Sequence, residues 1–276
     1  MFRMQNPPDL TDRTTLLRNR KRAANAPADF LRKAVADEVH ERLTEVNRTF
    51  SAPLIVTAHP EVWANTMPNA TICADEDVLQ VEPATYDLVI HDLNLHWAND
   101  LVGQLVQSRR ALKPDGLFIG TLFGGQTLQE LRVSLAEAEA AVTGGLSPRI
   151  APMAEIRDLG GLLQRAGFAL PVADATPFTV NYTNAFHLMH DLRAMGETNA
   201  LNGRLRKPTR RNVMTEAAGI YATNYSDDDG RIIATFEVVT LTGWAPDDSQ
   251  QQPLRPGSAK SRLADALGVP ENPLKD

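Results

Sequence analysis

Apolar and polar positions between Tyr86 and Arg132 switch repeatedly between two periods. Asp87-Leu88-Val89-Ile90 is a short apolar run after a Pro-Ala-Thr turn, as expected of a strand buried on both faces. Leu101, Val102, Leu105, Val106 and Leu112 then recur at helical spacing, with Gln104, Gln107, Arg109 and Arg110 between them. That pattern predicts an amphipathic helix, N-capped by Asn99 or Asp100. Lys113-Pro114-Asp115-Gly116 predicts a turn that ends the helix, with the glycine supplying positive φ. Leu117 to Leu122 reads as a second buried strand, Gly124-Gly125 as its end, and about 126 to 142 as another helix.

The same reading extends to the rest of the chain. Strands are expected near 53–57, 71–74, 171–181 and 231–243, the last antiparallel to its neighbour. Helices are expected near 29–47, 153–166 with Gly167 as C-cap, 185–195 and 209–223. Residues before about 27 show little pattern beyond the basic run Arg18 to Arg22. Three segments follow: an N-terminal helical segment 1–47, an α/β domain 48–244 with a helical insertion about 184–225, and a disordered tail 245–276 rich in Pro, Gln, Ser and Asp. Strands alternating with helices, and a late strand pair, give a Rossmann-like α/β fold of the class I methyltransferase type. Its sheet is mostly parallel with an antiparallel last strand, and its first cofactor-binding half is reduced.

Composition narrows the function. The 276 residues carry 34 acids against 28 bases, a net charge of −6, which excludes a general nucleic-acid binder. A single cysteine, Cys73, excludes an internal disulfide and a Cys-based metal site and suits a reducing cytoplasm. No apolar run approaches the roughly 20 residues that span a bilayer. Met1 to Arg22 lacks the apolar stretch of a signal peptide.

A ligand in an open α/β sheet sits beyond the carboxyl ends of its strands. The residues from His91 to Trp97 fall there. His91 and His96 suit acid/base work or substrate contact, although either could simply pack the loop. Asp92 could hold an amine or guanidinium, or cap its own loop. Trp97 is a core plug or a stacking platform. Gly196-Glu197-Thr198-Asn199 is a substrate-facing segment or a helix stop. His187 and His190 lack a third ligand nearby, so no metal site is expected. Arg204, Arg206, Lys207, Arg210 and Arg211 form a basic run in an acidic chain, either solvated or docking an acidic partner or lipid headgroups. Asp227-Asp228-Asp229-Gly230 lacks the downstream Glu of a calcium loop and reads as a turn.

Several strings together resemble one family. They are YDLVIHDLNLHWANDL, RRALKPDGLFIGTLFGGQTLQELR, GGLSPRIAP, DLGGLLQRAGF, VNYTNAFHLMHDLRAMGETNA and ATFEVVTLTGW, in unbroken order from about Ala74 to Trp244. They resemble the complex I assembly factor 5 family of the class I S-adenosylmethionine-dependent methyltransferase superfamily. A wider relative is the malonyl-carrier-protein methyltransferase of biotin synthesis. The resemblance implies action on an arginine of a complex I-type dehydrogenase subunit, by hydroxylation or by chaperoning. Such a protein would work in the cytoplasm or at the inner membrane, or in the mitochondrial matrix of a eukaryote. It makes Asp92, His96 and Glu197 catalytic candidates, Trp97, Gly196 and Asn199 substrate-binding ones, and Asp75 and Asp92 contacts to S-adenosylmethionine.

One departure bears on that cofactor. The family's first strand ends in a glycine-rich loop, where the backbone can approach a ligand closely. Here the stretch is Ile55-Val56-Thr57-Ala58-His59-Pro60-Glu61, without a glycine. The second strand with its ribose-binding acid reads as compressed or absent, and Asp75 matches the adenine-side acid. Weak or absent cofactor binding is therefore expected. An active methyltransferase on a small or carrier-bound carboxylate is the alternative reading.

Overall fold

Six strands build one sheet in the order β2-β1-β3-β4-β6-β5. They are β1 (Pro53–Val56), β2 (Thr71–Cys73), β3 (Tyr86–His91), β4 (Leu112–Phe123), β5 (Ala169–Tyr182) and β6 (Ile232–Trp244). The computed structural model describes residues 9–251 and Gly268. Asp9 to Pro246 belong to one unit, and Asp247 onward to another. Apart from Gly268, the expected tail beyond residue 251 lies outside the described residues, as do residues 1–8.

β1 pairs in parallel with β2 and β3, and β3 with β4. β6 runs antiparallel to both β4 and β5. β3 and β4 are neighbours, with Leu88 paired to Leu117 and Val89 to Phe118. Alternation along the strands sends side chains to opposite faces. Leu54, Val56, Val89 and Phe118 pack with Leu105, Leu159 and Leu163, on α3 (Leu101–Ala111) and α5 (Ile156–Arg165). Ile55, Leu88, Ile90 and Ile119 pack with Ala36, Val39, Leu43 and Trp63, three of them from α2 (Phe30–Glu45). Beyond the strand ends, α4 (Gln129–Thr143), α6 (Ala185–Ala194) and α7 (Arg211–Asn224) share a third cluster with Phe123 and Phe236.

Two local readings are corrected. The segment before α2 is a helix, α1 (Arg13–Ala23), capped by the Asp12 side chain, which accepts from Thr15 N. Its arginines mask the apolar pattern, because Arg20 is buried beside Leu16 and Ala23. Lys113 to Gly116 is the irregular start of β4 rather than a separate turn, and its positive φ of 58° falls on Asp115. The short strand expected near 71–74 is β2, three residues long, at the sheet edge and paired with β1 alone. The helix cap of α3 is Asp100, which accepts from Gly103 N at 2.8 Å.

Candidate functional site

The carboxyl ends of β1, β2 and β3 converge on a buried set of charges. Asp92, directly after β3, is fully buried. It accepts from Thr57 Oγ1 at 2.7 Å and lies 3.7 Å from the Arg32 guanidinium. Arg32 comes from the first turn of α2 and also reaches Glu197 Oε1 at 3.1 Å. Glu197 accepts from Trp97 Nε1 at 2.7 Å and faces His96 Nε2 at 3.2 Å, both on Oε2. One guanidinium thus links the carboxylate at the strand end to the one that follows α6. The sequence separates those two carboxylates by about a hundred residues, and no local pattern announces their pairing.

Glu197 has a side chain 7% exposed. Burial alone would raise its pKa. The hydrogen bond and charge of His96, with Arg32 and Arg20 nearby, hold it down at about 2. It is ionised at neutral pH. Desolvation dominates at His91, which sits against Gln104 and is pushed down to about 4. His91 is therefore a neutral imidazole inside the sheet. His96 packs between Phe123 and Trp97, with ring centroids 4.7 and 5.4 Å away. Asp92 Oδ1, Asn94 Nδ2, His91 Nδ1 and His96 Nδ1 are buried without hydrogen-bond partners. Such a concentration is uncommon in a core formed for packing alone.

Beside this network lies a cavity of about 360 Å³. Trp97, Glu197, Thr198 and Asn199 line it, together with Phe123, Leu128, Met153, Met189, Leu192 and Phe236. The loop after β3 and the segment after α6 therefore meet at one place. Asp75, Asp92 and Gly196 do not line the cavity. Gly196 has φ 80°, and a Cβ there would come within 3.2 Å of Arg20 Cγ. Its position is that of a left-handed helix stop against α1. Asn199 also donates to Pro148 O at 2.9 Å.

Asp75 occupies a different place from the one expected. It stands two residues beyond β2, where dinucleotide folds carry the acid that binds a ribose hydroxyl. Both its carboxylate oxygens accept from Arg20 Nη1 at 2.8 Å. Arg20 also donates to Asn94 at 3.0 Å, and Arg13 approaches Asp75 as well. A cofactor hydroxyl at Asp75 would have to share its carboxylate with the buried guanidinium of Arg20. At the end of β1, Thr57-Ala58-His59-Pro60 replaces the glycines, and Pro60 has no N–H to offer. As arranged, these residues do not fit S-adenosylmethionine.

The remaining candidates divide. Arg204 is tied to Asp12 at 2.8 Å and to Thr15 at 2.7 Å, and Arg206 also reaches Asp12. That half of the basic run braces the start of α1. Lys207, Arg210 and Arg211 are exposed. His187 and His190 are exposed on α6. Asp227 accepts from Asp229 N and Arg231 N in a turn. Cys73 is buried, and desolvation raises its pKa. The sequence reading missed Arg20 and Arg32, which look like surface charge on helices; the signal was the number of buried acids needing a cation.

Comparison with known proteins places the chain. No family model matches it. It is 38% identical to the arginine-hydroxylase NDUFAF5, mitochondrial, of Danio rerio over 264 residues, 86% of this chain and 82% of that protein. The Homo sapiens protein of that name is 41% identical over 214 residues, 78% of this chain and 62% of that protein. A malonyl-[acyl-carrier protein] O-methyltransferase of Xylella fastidiosa is 36% identical over 184 residues, 67% of this chain and 59% of that protein. A solved putative methyltransferase from Bacillus halodurans superposes with a TM-score of 0.48 at 14% identity, over 75% of this chain and 99% of that one. By its likeness to proteins of that first name over most of both chains, this chain belongs to the complex I assembly factor 5 (NDUFAF5) family, a branch of the class I methyltransferase superfamily.

Proposed function

We propose that the chain acts on a protein partner, taking an arginine side chain of a complex I-type dehydrogenase subunit into the cavity beside Glu197. The observation that carries this reading is the ionised, buried Glu197 on the wall of a mostly apolar cavity, which Arg149 and Arg193 also line. Two carboxylates, Asp92 and Glu197, share the single guanidinium of Arg32. A carboxylate has about four acceptor positions; Arg32, Trp97 and His96 face three of those on Glu197. One remains for a guest. The apolar walls suit the alkyl stem of an arginine, and a desolvated carboxylate suits its guanidinium. The arginine hydroxylation in the relatives' name agrees with a guest of that kind.

The alternative, methyl transfer to a carrier-bound carboxylate, finds less support. An ionised Glu197 would repel a carboxylate guest. The acid that should hold the cofactor ribose is already paired with Arg20.

The test is genetic and chemical together. The gene is deleted in a host without a second copy, and assembly of the NADH dehydrogenase is followed by native electrophoresis. Arginines of its peripheral-arm subunits are examined by mass spectrometry for an added oxygen. Stalled assembly, restored by the wild-type gene but not by Glu197→Gln, is the expected outcome. Normal assembly in the deletion strain would overturn the respiratory reading.

A further inference from the structure

A second polar cluster lies outside the Glu197 network, at the turn where the glycine loop would be. One ligand atom each from Asp29, His59 and Glu61 lie within 4.8 Å of one another. Three different elements supply them: the start of α2, the chain after β1 and a short 3-10 helix. Asp29 holds the N-cap position of α2, yet its side chain makes no capping hydrogen bond. A carboxylate at that position ordinarily accepts from the first turn's N–H groups; this one is left free for other use. The His59 ring is 7% exposed. Its Nδ1 faces Glu61 at 3.3 Å, and its Nε2 is buried with no partner. An imidazole buried with an uncommitted nitrogen beside two carboxylates is a costly arrangement unless something binds it.

We propose that Asp29, His59 and Glu61 form a binding site for a divalent first-row transition ion. One imidazole and two carboxylates suit such a borderline ion better than calcium or magnesium, which prefer all-oxygen shells. An ion bonded at about 2.1 Å in a tetrahedral shell holds its ligands about 3.4 Å apart; Glu61 already stands 3.3 Å from His59 Nδ1, and the set closes by drawing its widest spacing in from at most 4.8 Å. Two ionised carboxylates and a neutral ring give a charge of −2 to meet the cation. Burial, with the charge of Arg32, lowers the proton affinity of His59 and keeps the ring available as a ligand. Arg32 does not bar the cation, because Asp92 and Glu197 already hold it. Glu61 is 56% exposed in its side chain, which leaves a path for the ion to enter. Once bound, the ion would fasten the start of α2 to the end of β1.

The experiment uses the full chain, free of any affinity tag and stripped with a chelator. It is titrated calorimetrically with Mn(II), Co(II) and Zn(II), and thermal denaturation is followed with and without each ion. One ion per chain with a dissociation constant in the micromolar range or tighter is expected, with a rise in Tm. Asp29→Asn, His59→Ala and Glu61→Gln should each weaken binding at least tenfold. Glu61 is exposed, so its variant keeps the test valid should His59→Ala fail to fold. Magnesium should bind far more weakly. No binding by the folded wild type would overturn the proposal, and so would binding that Asp29→Asn and Glu61→Gln leave unchanged.

Discussion

Arg32 has the position of a surface residue, in the first turn of an amphipathic helix, and is 2% exposed. Its burial is intelligible only through Asp92 and Glu197, which lie far from it in sequence. Removing one partner of a buried ion pair costs about 3–5 kcal/mol, since a charge is left uncompensated. Charge explains less at His91, where the neutral form is the buried one. Its pKa is held at about 4 against an ordinary 6.5. The unfolded chain therefore takes up the proton first as pH falls. The stability from this group is complete above about 6.5 and is lost as pH falls through about 4. The difference is on the order of 3 kcal/mol. His59, also lowered, acts in the same direction. Denaturant midpoints measured from pH 7 to pH 4 should fall steeply for the wild type and less steeply for His91→Gln. Parallel curves would show that His91 does not titrate as described.

Among the elements, the strands were the most legible in the sequence. Leu54 to Val56, Leu88 to Ile90 and Leu117 to Leu122 are apolar runs bounded by turn residues, and they form the centre of the sheet. α1 was not legible, because its pattern is broken by arginines that turn inward. Nor was the place of Asp75, because β2 is three residues long and gives no periodicity to count. The meeting of the Asp92–Trp97 loop with the segment after α6 was expected from family signatures. The bonds that join them, through Arg32, are contacts of long range that no local pattern encodes. Gly196 ends α6 for a local reason, its φ of 80°, and for a tertiary one, the passage of Arg20. Placing an L side chain in that conformation costs about 1–2 kcal/mol. Gly196→Ala should lower the denaturation free energy by about that amount and leave the cavity open to a guest. A neutral effect on stability would show that the backbone relaxes elsewhere.

At the scale of the whole molecule, the helices α1 and α2 supply the cations where the superfamily holds its cofactor. S-adenosylmethionine at millimolar concentration should therefore leave the thermal midpoint of the wild type unchanged, whereas a bound ligand at a hundredfold excess over its dissociation constant adds about 2.7 kcal/mol. A clear upward shift would show that the cofactor binds despite the Arg20–Asp75 pair. No helix among the described residues is long and apolar enough to cross a membrane. The acidic chain still carries Lys207, Arg210 and Arg211 exposed near α7. The cavity's preference for an arginine side chain is read directly by binding. Arginine-bearing peptides from the peripheral-arm subunits of the dehydrogenase are titrated into the full chain. The best binder is then remade with citrulline, an isosteric and uncharged replacement for its arginine. A loss of at least tenfold with citrulline, matched by a similar loss for the arginine peptide against Glu197→Gln, is the predicted result. Equal affinity for the two peptides, or an affinity that Glu197→Gln leaves untouched in a folded protein, would contradict it.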